Sequence, residues 1–220
     1  MNFRGFIVGV YSFFSLIIGI ILMLIFRNKI HKLRQIWAYS MLKIIGVKIE
    51  QIGKIDTSVD LIILNHNSML DVIILDYLYP NEIAWIAKAK LAKIPIFGYI
   101  FKIPKLILID NKNKKSFITK QVKKALNQNR TIGAFPEGTR GKTDEIIKFK
   151  KGVRNLSKKL NLTIQPIVLV NTRELLDTKK FRASSGSVKL ICLKKTDPSY
   201  ENWYKELEEN IKTTYNNYSK

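Results

Sequence analysis

Two short polar segments, about seventy residues apart, hold the side chains best able to do chemistry: Asn65-His66-Asn67-Ser68-Met69-Leu70-Asp71 and Phe135-Pro136-Glu137-Gly138-Thr139-Arg140. In the first, His66 precedes Asp71 by five positions, close enough for the carboxylate to curl back onto the imidazole. A carboxylate bound to one ring nitrogen fixes the tautomer, leaves the other nitrogen to take a proton, and stabilises the imidazolium that forms. With no serine in the pair, the nucleophile would be a substrate hydroxyl attacking an activated acyl group under general-base assistance. In the second, Glu137, Gly138, Thr139 and Arg140 place a glycine-exposed backbone, a hydroxyl and a guanidinium within a few residues, a sensible cradle for phosphate. Glu137 is the odd member, since an acid beside an anion needs a partner; Arg140 or a hydroxyl of the acceptor would supply one. Together the segments point to acyl transfer onto a phosphate-bearing acceptor.

Such segments need a scaffold, and each follows an apolar run, Leu61 to Leu64 and Thr131 to Phe135. Each is therefore expected to leave the end of a buried strand, where sites of α/β proteins collect. Further strands are predicted at residues 47–51, 83–87, 106–110, 163–170 and 187–193, and helices at 69–78, 115–128, 152–160 and 200–216. Asn67 or Ser68 is the expected N-cap of the helix carrying Asp71. This alternation predicts an α/β fold with a mixed, largely parallel central sheet flanked by helices. The division expected is a membrane anchor with a juxtamembrane amphipathic helix over residues 1–46, then one catalytic domain over 47–220.

The anchor is read from Gly5 to Phe26, 22 residues without a charge. As a helix they reach about 33 Å, enough for a hydrocarbon layer of roughly 30 Å. No small-residue cleavage site follows, so the segment reads as retained. The cations Arg27, Lys29, Lys32 and Arg34 place the body on the cytoplasmic side. Length favours a span, while Gly5, Gly9, Ser12, Ser15 and Gly19 would also suit a helix that enters one leaflet and turns back. Gly5 and Gly9 form a small-xxx-small pair. In the following stretch Leu33, Ile36, Trp37, Met41, Ile44 and Ile45 recur at helical spacing, suiting either the membrane interface or the core.

The formal net charge is +21, from 38 Lys+Arg against 17 Asp+Glu. Only eight of the cations are Arg, which favours diffuse attraction to lipid phosphates over the Arg-forked reading of bases. No nucleic-acid partner is expected. Cys192, the single cysteine, lies in a strand-like run and reads as a packed thiol. His31 has no nearby carboxylate and receives no catalytic role.

The chain resembles the glycerolipid acyltransferase superfamily, in particular the 1-acylglycerol-3-phosphate acyltransferases. The resemblance is carried by His66-x4-Asp71, by Phe135 to Arg140, by Lys90 to Gly98 with Leu106 to Asp110, and by Phe149-Lys150-Lys151-Gly152 with Ile164 to Ile167. It implies His66 as general base, Asp71 as its orienter, and Glu137, Gly138, Thr139 and Arg140 as phosphate ligands. It further implies transfer from acyl carrier protein or a coenzyme A thioester to lysophosphatidic acid, among membrane lipids, with no metal and no bound cofactor. Where the family pattern has an Arg after Asp110, this chain has Asn111. Lys105, Lys112 or Lys114 then supply the missing charge, or the acceptor is another lyso-lipid, such as a lyso-ornithine lipid or a lysophospholipid. Lys112, Lys114 and Lys115 also fit a solvated basic loop. Ile94, Ile96, Tyr99, Ile100 and Phe101 suit the bilayer, an acyl tunnel or the core. A membrane-tethered anion-binding module without catalysis is the reading from another class.

Overall fold

A computed structural model describes residues 2–96, 98–110, 115–141 and 145–219, without the side chain of Lys115. In chain order it runs α1 (Phe3–Ile25), a 3-10 turn at Arg27–Lys29, α2 (Ile30–Ile45), β1 (Val47–Ile52), β2 (Leu61–Leu64), α3 (Leu70–Leu78) and β3 (Ile83–Lys88). A 3-10 segment at Ala89–Lys93 leads to α4 (Tyr99–Lys102), β4 (Ile107–Ile109), α5 (Lys115–Leu126), β5 (Thr131–Ala134), α6 (Lys151–Leu160) and β6 (Ile164–Val170). There follow α7 (Thr172–Leu175), β7 (Leu176–Asp177), β8 (Arg182–Ala183), β9 (Gly186–Cys192) and α8 (Trp203–Tyr218).

Among the described residues seven strands form one sheet in the order β1-β9-β6-β2-β5-β3-β4. Every neighbouring pair is parallel except β6 with β9, so the expected mixed, largely parallel sheet is present. Strands β2, β5 and β6 are buried at every position and are mainly apolar, with Thr131 and Gln165 as buried polar exceptions, because helices cover both faces. One core layer holds Ala38, Met41 and Ile45 of α2 with Ile73 and Ile74 of α3. The other holds Val122 of α5, Leu156 of α6 and Trp203, Leu207 and Ile211 of α8. Of the apolar stripe of α2, Met41 and Ile45 lie in the core, while Ile36 and Ile44, with Tyr39, stay exposed.

Because β2 and β5 are parallel neighbours, with Ile63 level with Ala134, the two polar segments leave the sheet at the same edge, side by side. Seventy residues of sequence separation become one strand spacing of about 4.8 Å.

Helix α1 is long and apolar enough to cross a membrane, yet both its ends are held by the same body. The Asn2 side chain caps Gly5 at 2.8 Å, accepts the Ala183 amide and donates to the Ala183 carbonyl. A Cβ on Gly5 would stand 2.1 Å from the Phe181 carbonyl oxygen, so this glycine serves close packing within the chain. Midway, Trp37 of α2 donates to Ser15 of α1 at 3.1 Å. Beyond the turn, Arg34 of α2 forks onto Asp76 of α3. The outer side of α1 presents Phe3, Phe6, Phe14, Ile18, Ile21 and Ile25 to the surroundings.

Candidate active site

His66 stands two residues beyond β2, and its Nδ1 lies 3.0 Å from Oδ2 of Asp71 in the first turn of α3. The same oxygen accepts the amides of Asn67 and Ser68, each at 2.9 Å. Asp71 is fully buried, whereas the His66 side chain is 17% exposed. The carboxylate itself takes amides at the head of the helix, where an N-cap side chain was expected. Ser68 still accepts the Leu70 amide at 3.1 Å and donates to the Leu176 carbonyl at 2.6 Å. Asn65, buried, exchanges two hydrogen bonds with the main chain of Leu169, prolonging the β2–β6 pairing up to the histidine.

The ring of His66 is fixed from its flank as well. It stacks on Phe135 with centroids 3.9 Å apart, and Phe135 stacks on Trp85 at 5.1 Å. Trp85 donates to Asp76 at 2.9 Å, the carboxylate already gripped by Arg34. Gly133 makes room for this stack, since a Cβ there would stand 2.5 Å from the Trp85 ring. Sequence inspection passed over Asn65, Trp85 and Gly133; a polar residue closing a buried strand and a glycine inside one were the available signals.

Glu137 is buried, and its two oxygens accept the amides of His66 at 2.6 Å and Ile147 at 3.1 Å. Its partners are main-chain amides, in place of the Arg140 or acceptor hydroxyl expected for it. Burial pushes its carboxyl up to about 7, against the downward pull of the two amides. Gly138 turns the chain with φ +66, and exposed Thr139 follows. Arg140 donates to Thr178 at 2.8 Å. The Gly141 amide donates to the His66 carbonyl at 3.3 Å, and Arg173 grips the Gly141 carbonyl. The two segments are therefore stitched together twice through the main chain of His66.

The supporting lysines fare differently. Lys105 precedes β4, and its carbonyl accepts from Arg130 at 3.2 Å, itself paired with Glu82 just before β3. That is the edge where strands begin, so Lys105 is not brought to the cradle. Lys112 and Lys114, with Asn111, lie outside the described residues.

A cavity of about 580 Å³ is lined by Val8, Gly9 and Gly19 of α1, Trp37 and Met41 of α2, Val72 and Ile73 of α3, and Ile94, Ile100 and Phe101. Its size suits a small-molecule chain. Met69, Trp85 and Thr178 also line it, so its wall reaches the surroundings of His66 and Arg140. Cys192 takes no part; burial pushes its thiol up to about 11.

The arrangement is that of an imidazole held by a buried carboxylate and an aromatic stack, beside the turn of Gly138, Thr139 and Arg140. The sequence model of the acyltransferase family matches residues 46–170. Over 175 residues the chain is 40% identical to a 1-acyl-sn-glycerol-3-phosphate acyltransferase of Helicobacter pylori, covering 77% of this chain and 74% of that protein. A protein of the same name from Borreliella burgdorferi is 31% identical over 110 residues, 49% of this chain and 44% of that one. The crystal structure of the 1-acyl-sn-glycerophosphate acyltransferase PlsC from Thermotoga maritima shares the fold, with a TM-score of 0.74 over 97% of this chain and 92% of that one at 19% identity. The chain belongs to the acyltransferase family.

Proposed function

We propose that the protein is a membrane-bound 1-acylglycerol-3-phosphate O-acyltransferase, moving a fatty acyl group from an acyl carrier protein or coenzyme A thioester to the free hydroxyl of lysophosphatidic acid. The observation that carries this reading is the His66–Asp71 contact at 3.0 Å, set beside the loop of Gly138, Thr139 and Arg140. Asp71 holds Nδ1–H, so Nε2 takes the proton of the acceptor hydroxyl as its oxygen attacks the thioester carbonyl. The tetrahedral adduct then collapses, the C–S bond breaks, and the imidazolium returns the proton to the leaving thiolate. Gly138, Thr139 and Arg140 hold the acceptor phosphate, Glu137 holds the loop of the base, and the cavity takes an acyl chain.

The placement of α1 supports residence in one leaflet. A helix with both ends fastened to one charged body runs along that body, and a straight crossing would drag the body into hydrocarbon. The exposed aromatic and aliphatic side of α1 then enters the cytoplasmic leaflet, with the cations of α2 at headgroup level.

Detergent-purified protein supplied with labelled acyl donors and a panel of lyso-lipids tests the assignment. Turnover confined to the acceptor with a phosphate monoester is expected. Preference for lyso-ornithine lipid or a lysophospholipid diester would replace the acceptor, and absence of transfer to every acceptor would leave only an anion-binding module.

A further inference from the structure

A second cation, in addition to Arg140, stands over the cradle, supplied by neither polar segment. Lys150 immediately precedes α6, and its main chain is fixed on both sides: its amide donates to the Pro136 carbonyl at 2.9 Å, and its carbonyl accepts the Tyr204 hydroxyl at 2.7 Å. From that fixed base the side chain runs back across Gly138. A Cβ placed on Gly138 would stand 3.1 Å from Lys150 Nζ, 3.3 Å from Cδ and 3.4 Å from Cε. The glycine turn is thus roofed by an ammonium whose footing cannot slide relative to the loop.

Lys88, the last residue of β3, is near enough for the Lys150 charge to act on it. Burial depresses the Lys88 ammonium first, and the charges of Lys150 and then Lys90 depress it further. Like charges this close cost free energy that a bound anion returns. The acid of the loop does not compensate them, because Glu137 is turned inward onto the amides of His66 and Ile147. Arg140 meets Thr178, while the cation that would lie nearest a Cβ on Gly138 is Lys150.

We propose that Lys150 is a substrate-binding residue that ligates a phosphate monoester seated against the Gly138 turn and sets the preference for a dianionic acceptor headgroup. The inference rests on the acyltransferase reading and adds to it a residue that supplies the charge Asn111 does not bring. An ammonium on a flexible stem acts here as a point charge, while the rigid main chain beneath it fixes position.

Steady-state kinetics on the full-length protein in detergent test it, with donor and acceptor varied separately for wild type, Lys150→Ala and Lys150→Arg. Loss of one charge-assisted contact to phosphate predicts a rise of about 10- to 100-fold in acceptor KM for Lys150→Ala. Donor KM and kcat should stay within about threefold, with Lys150→Arg recovering most of the acceptor affinity. The side chain is exposed, and both anchoring hydrogen bonds use its main chain, so the variants keep the fold; equal melting temperatures verify this. An unchanged acceptor KM overturns the inference alone. An equal rise in donor KM overturns it in favour of the phosphates of the donor. Wild type that fails to use lysophosphatidic acid removes the functional reading beneath it.

Discussion

The carboxylate of Glu137 accepts the main-chain amide of His66 at 2.6 Å, joining residues 71 positions apart. Its other oxygen holds Ile147, so one buried side chain spans the loop of the base, the cradle and the segment leading to α6. An acid in an anion site is intelligible once its lone pairs face inward. Glu137 positions the machinery from beneath.

Glu137 should leave a mark on stability. Burial holds its carboxyl up at about 7 in the folded protein, against 4.5 for the free side chain. The folded state therefore holds that proton more tightly. The associated stability is fully present below about pH 4.5 and is lost as pH rises through 7, on the order of 1 to 3 kcal/mol. Melting followed by tryptophan fluorescence should show this decline, and Glu137→Gln should flatten it. The same variant turns an amide donor toward the donor of either His66 or Ile147, so a fall in kcat of about tenfold or more is expected. An identical pH slope in variant and wild type would contradict the assignment.

At the dyad, His66→Ala should lower kcat by about 10²- to 10⁴-fold with expression and membrane association intact. Asp71→Ala should cost stability as well as rate, about 1 to 3 kcal/mol, because the amides of Asn67 and Ser68 lose their acceptor together with the ring. Rate assays and melts on the two variants separate the roles. Full activity of His66→Ala would rule out general-base catalysis here.

Arg140→Ala should raise acceptor KM well above any change in donor KM, by about tenfold. Its guanidinium meets Thr178 at 2.8 Å, on a segment that lines the cavity, so Thr178→Val should produce a weaker shift in the same direction. Separate titrations of donor and acceptor distinguish this from a general loss of activity.

The cavity offers a test by filling. A Cβ at Gly9 or Gly19 meets nothing within 4 Å, so the helix accepts a side chain there and the added volume enters the cavity. Gly19→Leu should shift donor preference toward shorter chains, measured with a series of acyl thioesters, while expression stays at the level of wild type.

Much of the scaffold was readable before any coordinates. The runs 61–64, 131–134 and 164–170 are buried at every position and almost wholly free of charge-bearing or polar side chains, Thr131 and Gln165 excepted, because helices cover both faces of the sheet. His66 and Asp71 were legible for a local reason: five residues across a strand end and a helix start leave little freedom. What depended on distant partners was not legible. The inward turn of Glu137 needs Ile147, the stack on His66 needs Trp85 and Gly133, and the exclusion of Lys105 follows from the register of β4 against β3. The short α7, β7 and β8 are too brief for periodicity, yet they fasten Asn2 and carry Thr178. Lys150 was visible in the sequence as part of the Phe149-Lys150-Lys151-Gly152 block, but its place over Gly138 depends on the Pro136 and Tyr204 contacts that fix its main chain.

The tethering of α1 at both ends carries a topological prediction. A cysteine introduced at Arg4 should react with a membrane-impermeant maleimide from the same side of sealed vesicles as one introduced at Lys205 on α8, in a Cys192→Ser background. Labelling of Arg4→Cys only from the opposite side would mean that the helix crosses.

That fastening has a consequence for how a membrane grows. On the one-leaflet reading proposed for α1, the enzyme draws its acceptor from one monolayer and leaves its product there. Each turnover adds a second tail to a lipid on one side only, and area accumulates in that monolayer alone. The opposite monolayer can keep pace only if a separate protein ferries finished lipid across, so synthesis and the doubling of the bilayer become two tasks for two machines.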